Sequence, residues 1–192
     1  LQPKDLGMRF AGHEGGGRIQ LLNEDTLLLS VGVYQFDGMH APIQAGQDDA
    51  NALGKIIEIS IRTGQNRVFA RGLRNPQGLL VARDGRVWES EHGPRGGDEI
   101  NLIRRGGNYG WPIVTYGTEY SGAPWRYNPE PGEHAGYAIP RFAFVPSIGI
   151  SELIQPDANA FPDWRNHLLA SSLHGNALYA LKTEGDDITY AE

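Results

Sequence analysis

The stretch SEHGPRGGDEIN, residues 90–101, puts a histidine, three carboxylates, an arginine and three glycines into one short run. Calcium takes about six to eight hard oxygens and accepts backbone carbonyls as readily as carboxylates. Gly93 and Pro94 suit that use. Glycine reaches unusual backbone angles and proline fixes φ, so two successive carbonyls can be held in one direction. Asp98 and Glu99 follow at the start of a strand-like run, where consecutive side chains point to opposite faces. A second stretch, RNPQG at 74–78, sets Arg74 beside Asn75. That fork of donors next to an amide suits a planar polycarboxylate or quinone. A third, GHEGGGR at 12–18, offers His13 and Glu14 among glycines that let a ligand approach the backbone. A histidine there is a candidate general base near neutral pH. By spacing alone, each of the three stretches also reads as a solvated turn.

These residues need a scaffold, and the composition indicates which kind. The 192 residues suffice for one or two domains with a sizeable core. Glycine, at 26 residues, is about twice its usual share, and 12 prolines accompany it. Short runs rich in Val, Ile, Leu and Tyr recur between turn signals, the profile of an all-β chain. Strands are expected at 18–22, 26–31, 54–61 and 66–73, then at 77–82, 86–90 and 98–103. Three more follow near the end, at 167–171, 176–182 and 188–192. The RDG turn at 83–85 is a strong hairpin signal. Grouped in order, the runs repeat as units of four strands, the blade of a β-propeller, over 18–73, 77–144 and 147–192. A β-sandwich is the alternative architecture for such alternating short strands. Residues 115–140, dense in Gly, Pro, Tyr and Glu, read as a long functional loop that also holds the 125–127 aromatics. The RFAF run at 141–144 reads as part of the same loop-rich region.

Several chemistries drop out. Seventeen Lys and Arg against 23 Asp and Glu give a formal charge of −6, which argues against nucleic acid or an anionic membrane surface as partner. With no cysteine there is no disulfide, thiolate metal site or cysteine nucleophile. No apolar run is long enough to span a membrane. The opening LQPKDLGMRF lacks an initiator Met and an apolar signal core, as expected of a processed or cut chain. The zinc pattern H-E-x-x-H fails at Gly17, and no dinucleotide, Walker, EF-hand or hydrolase-elbow motif is present.

The run from GLRNPQGLL to GGNYGWP, residues 72–112, resembles the soluble quinoprotein glucose dehydrogenases and aldose sugar dehydrogenases. GGGRI…LLLSVG and VPSIGISEL…FPDWRNHLLASSLHGNALYAL extend the likeness toward both ends. The resemblance implies a six-bladed propeller, of which this chain supplies about three blades. It also implies pyrroloquinoline quinone (PQQ) and Ca2+ as cofactors, an aldose as substrate, a lactone as product, and a periplasmic or secreted location. The electron acceptor is left open. Carried onto this chain, it gives the Gly93 and Pro94 carbonyls to the calcium that clamps PQQ. Arg74 and Asn75 would contact PQQ. Glu99, with the Tyr109 carbonyl, would hold a second, structural calcium. Glu99 and Tyr109 bracket a strand and the tight turn RRGG, which brings them back within reach of one ion.

Two departures stand out. The family's catalytic histidine lies four residues before the strand arginine; here Glu14 is four before Arg18 and His13 is five before. Ala180 stands where the family carries an arginine, and His174 where a lysine is common. A lost charge-assisted contact is worth about 1.5–3 kcal/mol. Two other functions therefore stand beside sugar oxidation: a non-catalytic, calcium-stabilised propeller that binds a carbohydrate or protein partner, and a calcium-dependent lactonase. Half a propeller also leaves an open edge, which invites association between copies, a homo-oligomer.

Overall fold

The computed structural model describes residues 12–130 and 132–192. The opening LQPKDLGMRF lies outside them. The described residues form three four-stranded antiparallel sheets, each a meander in chain order, stacked as blades of a β-propeller. The first blade holds β1 (Gly16–Asn23), β2 (Thr26–Val31), β3 (Lys55–Ser60) and β4 (Asn66–Arg71). The second holds β5 (Pro76–Val81), β6 (Val87–Glu91), β7 (Asp98–Ile103) and β8 (Phe142–Phe144). The third holds β9 (Ile150–Ile154), β10 (His167–Ser172), β11 (Leu178–Glu184) and β12 (Asp187–Ala191). The first strands of successive blades adjoin, β1 to β5 and β5 to β9. No helix among the described residues is long and apolar enough to cross a membrane.

Alternation along each strand builds the packing between blades. Leu28, Ile56 and Phe69 of the first blade meet Leu79, Val87 and Ile103 of the second. Trp88, Ile100 and Phe144 of the second meet Ile150, Leu153 and Leu168 of the third. Burying each such side chain stabilises by about 1.5–3 kcal/mol. The RDG turn closes β5 onto β6, with Gly85 at φ +83°, where a side chain would be strained.

Two strands differ from the sequence reading. Residues 142–144, expected in the loop-rich stretch, form β8, because Ala143 pairs with Glu99 and Phe142 with Ile100. The ISELI run, outside the strands expected from the sequence, forms β9 against β10 and leads the third blade. Both runs are too short to declare themselves without their partners.

One buried cation ties a long loop to the first blade. The ammonium of Lys55 is fully covered and donates to the carbonyls of Ala45 (2.7 Å), Gly46 (3.1 Å) and Leu53 (2.7 Å). Burial pulls its pKa down to about 8, opposed by Asp49 and Asp48. The loop it anchors, residues 32–54, forms one wall of the cavities described next.

Candidate functional site

The three stretches singled out in the sequence converge at one end of the blades. A cavity of about 450 Å³ is lined by His13, Glu14, Arg74, Asn75, His92 and Tyr120, with Gln35 and His40 at its wall. Arg74 and Asn75 sit immediately before β5, and His13 and Glu14 immediately before β1, so adjacent first strands bring them together. Arg74 is the hub. Its Nη2 donates to Glu14 Oε1 at 2.6 Å, and both side chains are almost fully covered. Its Nη1 donates to the carbonyls of His92 (3.1 Å) and Gly93 (2.9 Å). Its Nε is buried without a partner among the described residues, and the guanidinium lies 5.2 Å from the centre of the Trp111 ring.

Glu14 is held on both oxygens, since Oε2 accepts the Gln35 N–H at 3.2 Å. Its backbone takes φ +58°, sparsely populated for a non-glycine residue, and its carbonyl accepts the Tyr34 N–H. Both oxygens of this carboxylate are thus committed to donors of the chain. His13 is exposed, lines the same cavity and makes no hydrogen bond to the described residues. Asn75 binds through its backbone to Glu91 and His92, and its Oδ1 accepts from Gln77. Its amide nitrogen is left for the cavity.

The Gly93–Pro94 turn is fixed from several sides. A Cβ on Gly93 would lie 2.3 Å from the Gly97 carbonyl, so only glycine fits. Pairing between Arg95 and Thr118 pins the turn to the long loop. Asp98 holds it from below: its carboxylate accepts from Gly93 N (3.2 Å), Ser147 Oγ (2.8 Å), Ile148 N (3.1 Å) and Ile150 N (2.9 Å). Those four donors occupy the oxygens that the sequence reading offered to a metal. Asp98 is thus a structural bracket between the turn and the third blade.

Glu99 and Tyr109 line one small cavity of about 10 Å³, the size of a single water or ion. Gly93, Glu91 and Trp111 line it too. The Tyr109 N–H is held by the Arg71 carbonyl of β4, so this site lies at the junction of the first two blades. The Tyr109 and Pro94 carbonyls accept no hydrogen bond among the described residues.

The sequence reading missed what lies beneath. Glu89 and Glu91 alternate onto the same face of β6, opposite Asn101 and Glu99 of β7. Glu89 Oε2 (3.1 Å) and Glu91 Oε1 (3.3 Å) share the single Asn101 amide as donor. Glu89 Oε1 and Asn101 Oδ1 have no partner among the described residues. Burial, then the Glu91 charge, pushes Glu89 and Glu99 well above the usual carboxylate range. Burial pushes Glu91 up to about 7, against the Arg74 and Asn75 backbone N–H groups. Buried carboxylates with too few donors take up protons or a cation. The signal was available: glutamates two apart in WESE, inside a strand covered on both faces.

Ala180 is buried on β11 and His174 is exposed in the turn before it.

A family model for glucose/sorbosone dehydrogenases matches residues 6–192. The chain is 36% identical over 124 residues to aldose sugar dehydrogenase YliI of Escherichia coli (strain K12), covering 64% of this chain and 33% of that protein. It is 36% identical over 180 residues to quinoprotein glucose dehydrogenase B of Acinetobacter calcoaceticus, covering 80% of this chain and 35% of that one. The apo-form crystal structure of soluble aldose sugar dehydrogenase from Escherichia coli superposes with TM-score 0.80 at 28% identity, over 91% of this chain and 52% of that chain. The chain thus spans about a third of these curated relatives and about half of the solved structure.

Proposed function

The chain belongs to the glucose/sorbosone dehydrogenase family, and on that premise we propose that it forms part of an aldose-oxidising enzyme that uses PQQ and calcium. The observation that carries this reading is the single cavity that joins His13, Arg74 and Asn75, with Arg74 reaching the Gly93 carbonyl at 2.9 Å. A quinoprotein and an aldose sugar dehydrogenase among the relatives support it.

The residues present fit calcium. An ion-sized cavity lined by the Glu91 and Glu99 carboxylates, with a Tyr109 carbonyl that accepts no hydrogen bond among the described residues, is what a hard divalent cation requires. Among the described residues, no three His, Asp or Glu side chains converge at metal-ligand distances, so backbone carbonyls at Tyr109, and at Pro94 for the other ion, would complete the shells. For the quinone, Arg74 and Asn75 would hold one carboxylate, Arg74 as far as Glu14 releases it. The further cations that a tricarboxylate calls for would come from the rest of the propeller.

When bound, the quinone supplies a two-electron acceptor polarised by its calcium. The chain's own residues do the rest. Arg74 orients an anionic group against the Gly93–Pro94 turn. A ring nitrogen of His13 takes the proton of the sugar's anomeric hydroxyl. Glu14 holds Arg74 in place as a positioning residue rather than as the base. The product of oxidising an aldose at C1 in this way is a lactone, and a periplasmic or secreted location follows the same reading.

Reconstitution of the complete protein with PQQ and Ca2+, followed by dye reduction with several aldoses, tests this. His13→Asn should lower kcat by about 10²–10⁴-fold, the usual contribution of a general base. Activity unchanged in His13→Asn removes the assignment, and no activity with any aldose removes the reading.

A non-catalytic, calcium-stabilised propeller is the second reading, favoured by the prior pairing of Arg74 with Glu14. In either case Glu99→Gln should reduce the rise in melting temperature that calcium produces, whereas Arg74→Ala should not. A melting temperature indifferent to chelation would count against the site.

A further inference from the structure

Lys55 opens β3 opposite Arg71 of β4, outside both cavities of the site. It spends all three N–H groups of its buried ammonium on the carbonyls of Ala45, Gly46 and Leu53. The backbone around this cage is packed without intervening side chains. A Cβ on Gly54 would lie 2.8 Å from the Gly46 Cα and 2.7 Å from the Leu73 carbonyl oxygen. One on Gly46 would lie 2.9 Å from the Trp111 carbonyl oxygen, and one on Gly72 would lie 2.6 Å from the Gly110 nitrogen. Segments this close cannot be held by apolar side chains between them, so hydrogen bonds hold them.

Two short chains of hydrogen bonds lead from the cage to the site. In the first, Gly54 accepts the Leu73 N–H at 3.1 Å and donates to the Gly32 carbonyl at 3.1 Å; Val33, the next residue, donates to the Arg74 carbonyl at 2.9 Å. In the second, the Gly46 carbonyl that takes Lys55 also takes the Gly72 N–H at 3.0 Å, and the Gly72 carbonyl takes the Trp111 N–H at 2.9 Å. Gln47 reinforces the second. Its amide donates to the Trp111 carbonyl at 2.7 Å and exchanges bonds of 3.1 Å and 2.8 Å with the Asn108 amide. The first chain ends on the backbone of the guanidinium hub. The second grips Asn108 and Trp111 on either side of Tyr109, which lines the ion-sized cavity. The loop held by the cage also supplies Gln35, Asp37, Met39 and His40 to the cavity around Arg74 and to the one adjoining it.

We propose that Lys55 is a positioning residue for both halves of the site: through the backbone, its ammonium fixes where Arg74 and Tyr109 stand. A single side chain answers three carbonyls only if it carries three N–H donors on one atom, and lysine alone does so. Glutamine offers two and would leave a buried carbonyl unanswered. The consequence for PQQ rests on the quinone reading; the placement of Arg74 and Tyr109 does not.

The test uses the complete, cofactor-free protein and its Lys55→Ala variant, with and without propylammonium chloride, which replaces the deleted chain and its N–H groups. Amide hydrogen exchange is read at Val33, Leu73 and Trp111, the donors along the two chains. Lys55→Ala should speed exchange there by about tenfold, the scale of one lost buried hydrogen bond. Propylammonium should reverse the change, whereas tetramethylammonium, with the charge and no N–H, should not. Isothermal titration with PQQ in the presence of Ca2+ should show affinity lower by about 10–100-fold, the usual effect of losing a partner that orients a ligand, and restored by propylammonium. Glu58→Gln is the control, since it weakens the same strand without touching the cage and should leave PQQ affinity unchanged. Should Lys55→Ala lose its native circular dichroism, Lys55→Gln takes its place and is read for the same losses in exchange protection and affinity. Unchanged exchange, unchanged affinity, failure of propylammonium to rescue Lys55→Ala or equal rescue by tetramethylammonium overturns the positioning role. So does a Glu58→Gln protein that loses as much PQQ affinity as the Lys55 variant. Exchange that responds as expected in a protein that binds no PQQ keeps the positioning role and removes the quinone reading.

Discussion

Arg74 can meet a carboxylate ligand only as far as Glu14 releases it. The two side chains are 2.6 Å apart and nearly water-free, so their attraction is little screened. An incoming anion must compete with Glu14 for the same guanidinium. Glu14→Gln keeps the hydrogen-bonding shape and removes the competing charge. It should tighten PQQ binding about tenfold, the scale of one charge-assisted contact. Arg74→Lys should weaken it by as much or more, because lysine cannot reproduce the fork. Isothermal titration of the complete protein with PQQ reads both; affinity indifferent to Glu14→Gln would show that the pair does not compete. At this scale the sequence was legible where the chemistry is contiguous. Arg74–Asn75 and Gly93–Pro94 are neighbours in the chain, and their backbone consequences could be written down directly. The partner of Arg74 lies 60 residues away, and spacing carries no trace of such a pair. Asp98 shows the reverse error. An acidic side chain beside a glycine turn looks like a ligand until its donors, some fifty residues onward, are seen.

Between elements, Glu58 joins two blades. It projects from β3, accepts from Arg67 Nε of β4 at 2.6 Å, and takes a double contact from Arg105 in the turn after β7. Arg105 also lies over the Phe69 ring at 4.6 Å. Hydrogen bonds from Arg105 and then Arg67 hold the Glu58 pKa down at about 2. A carboxylate whose folded pKa is depressed stabilises the fold above its unfolded pKa, and that contribution is lost as pH falls through the folded value. The loss should therefore run from about pH 5 down to about pH 2. Glu58→Gln should flatten that part of the melting temperature–pH curve and lower the plateau at neutral pH. A variant curve parallel to the wild type would show that the clasp contributes nothing. Most strands were legible from alternation between turn signals, because one face of each must be apolar. The clasp was not, since RRGG reads as an ordinary turn until Arg105 is placed over β4. Nor were β8 and β9, which become strands only by pairing with residues already fixed elsewhere.

For the molecule as a whole, both ends of the blade stack are uncovered. On the outer side of the first blade, Ile19 and Leu21 of β1 align with Leu29 and Leu27 of β2, then with Ile57 and Ile59 of β3. Ile19 and Leu21 are 59% and 58% exposed. On the outer side of the third blade, Ile154, Leu178 and Tyr190 share a face with Leu169 and Ala180 and are 48%, 55% and 54% exposed. The opposite faces of the same two blades are fully packed, against the second blade. Alternating apolar residues on both faces of a strand mean that both faces are built for burial, so these two outer faces fit further blades. The solved relative, of which the chain covers 52%, has the length to supply them. The same apolar alternation that marks the blades also leaves these two faces uncovered in the described residues. It leaves a consequence for the 192-residue chain in isolation. Each large apolar side chain taken out of water contributes about 1.5–3 kcal/mol, and five such residues outweigh the cost of bringing two copies together at micromolar concentration. The isolated chain should therefore self-associate, with sedimentation velocity showing species heavier than the 21.1 kDa monomer. Ile19→Lys/Leu21→Lys should shift the distribution toward monomer without altering the circular dichroism, because both side chains point away from the packed core. The same substitutions in the complete protein should lower its melting temperature instead, since there the face is covered by the next blade. A wild-type chain that sediments as a stable monomer would mean that the outer faces are not blade interfaces.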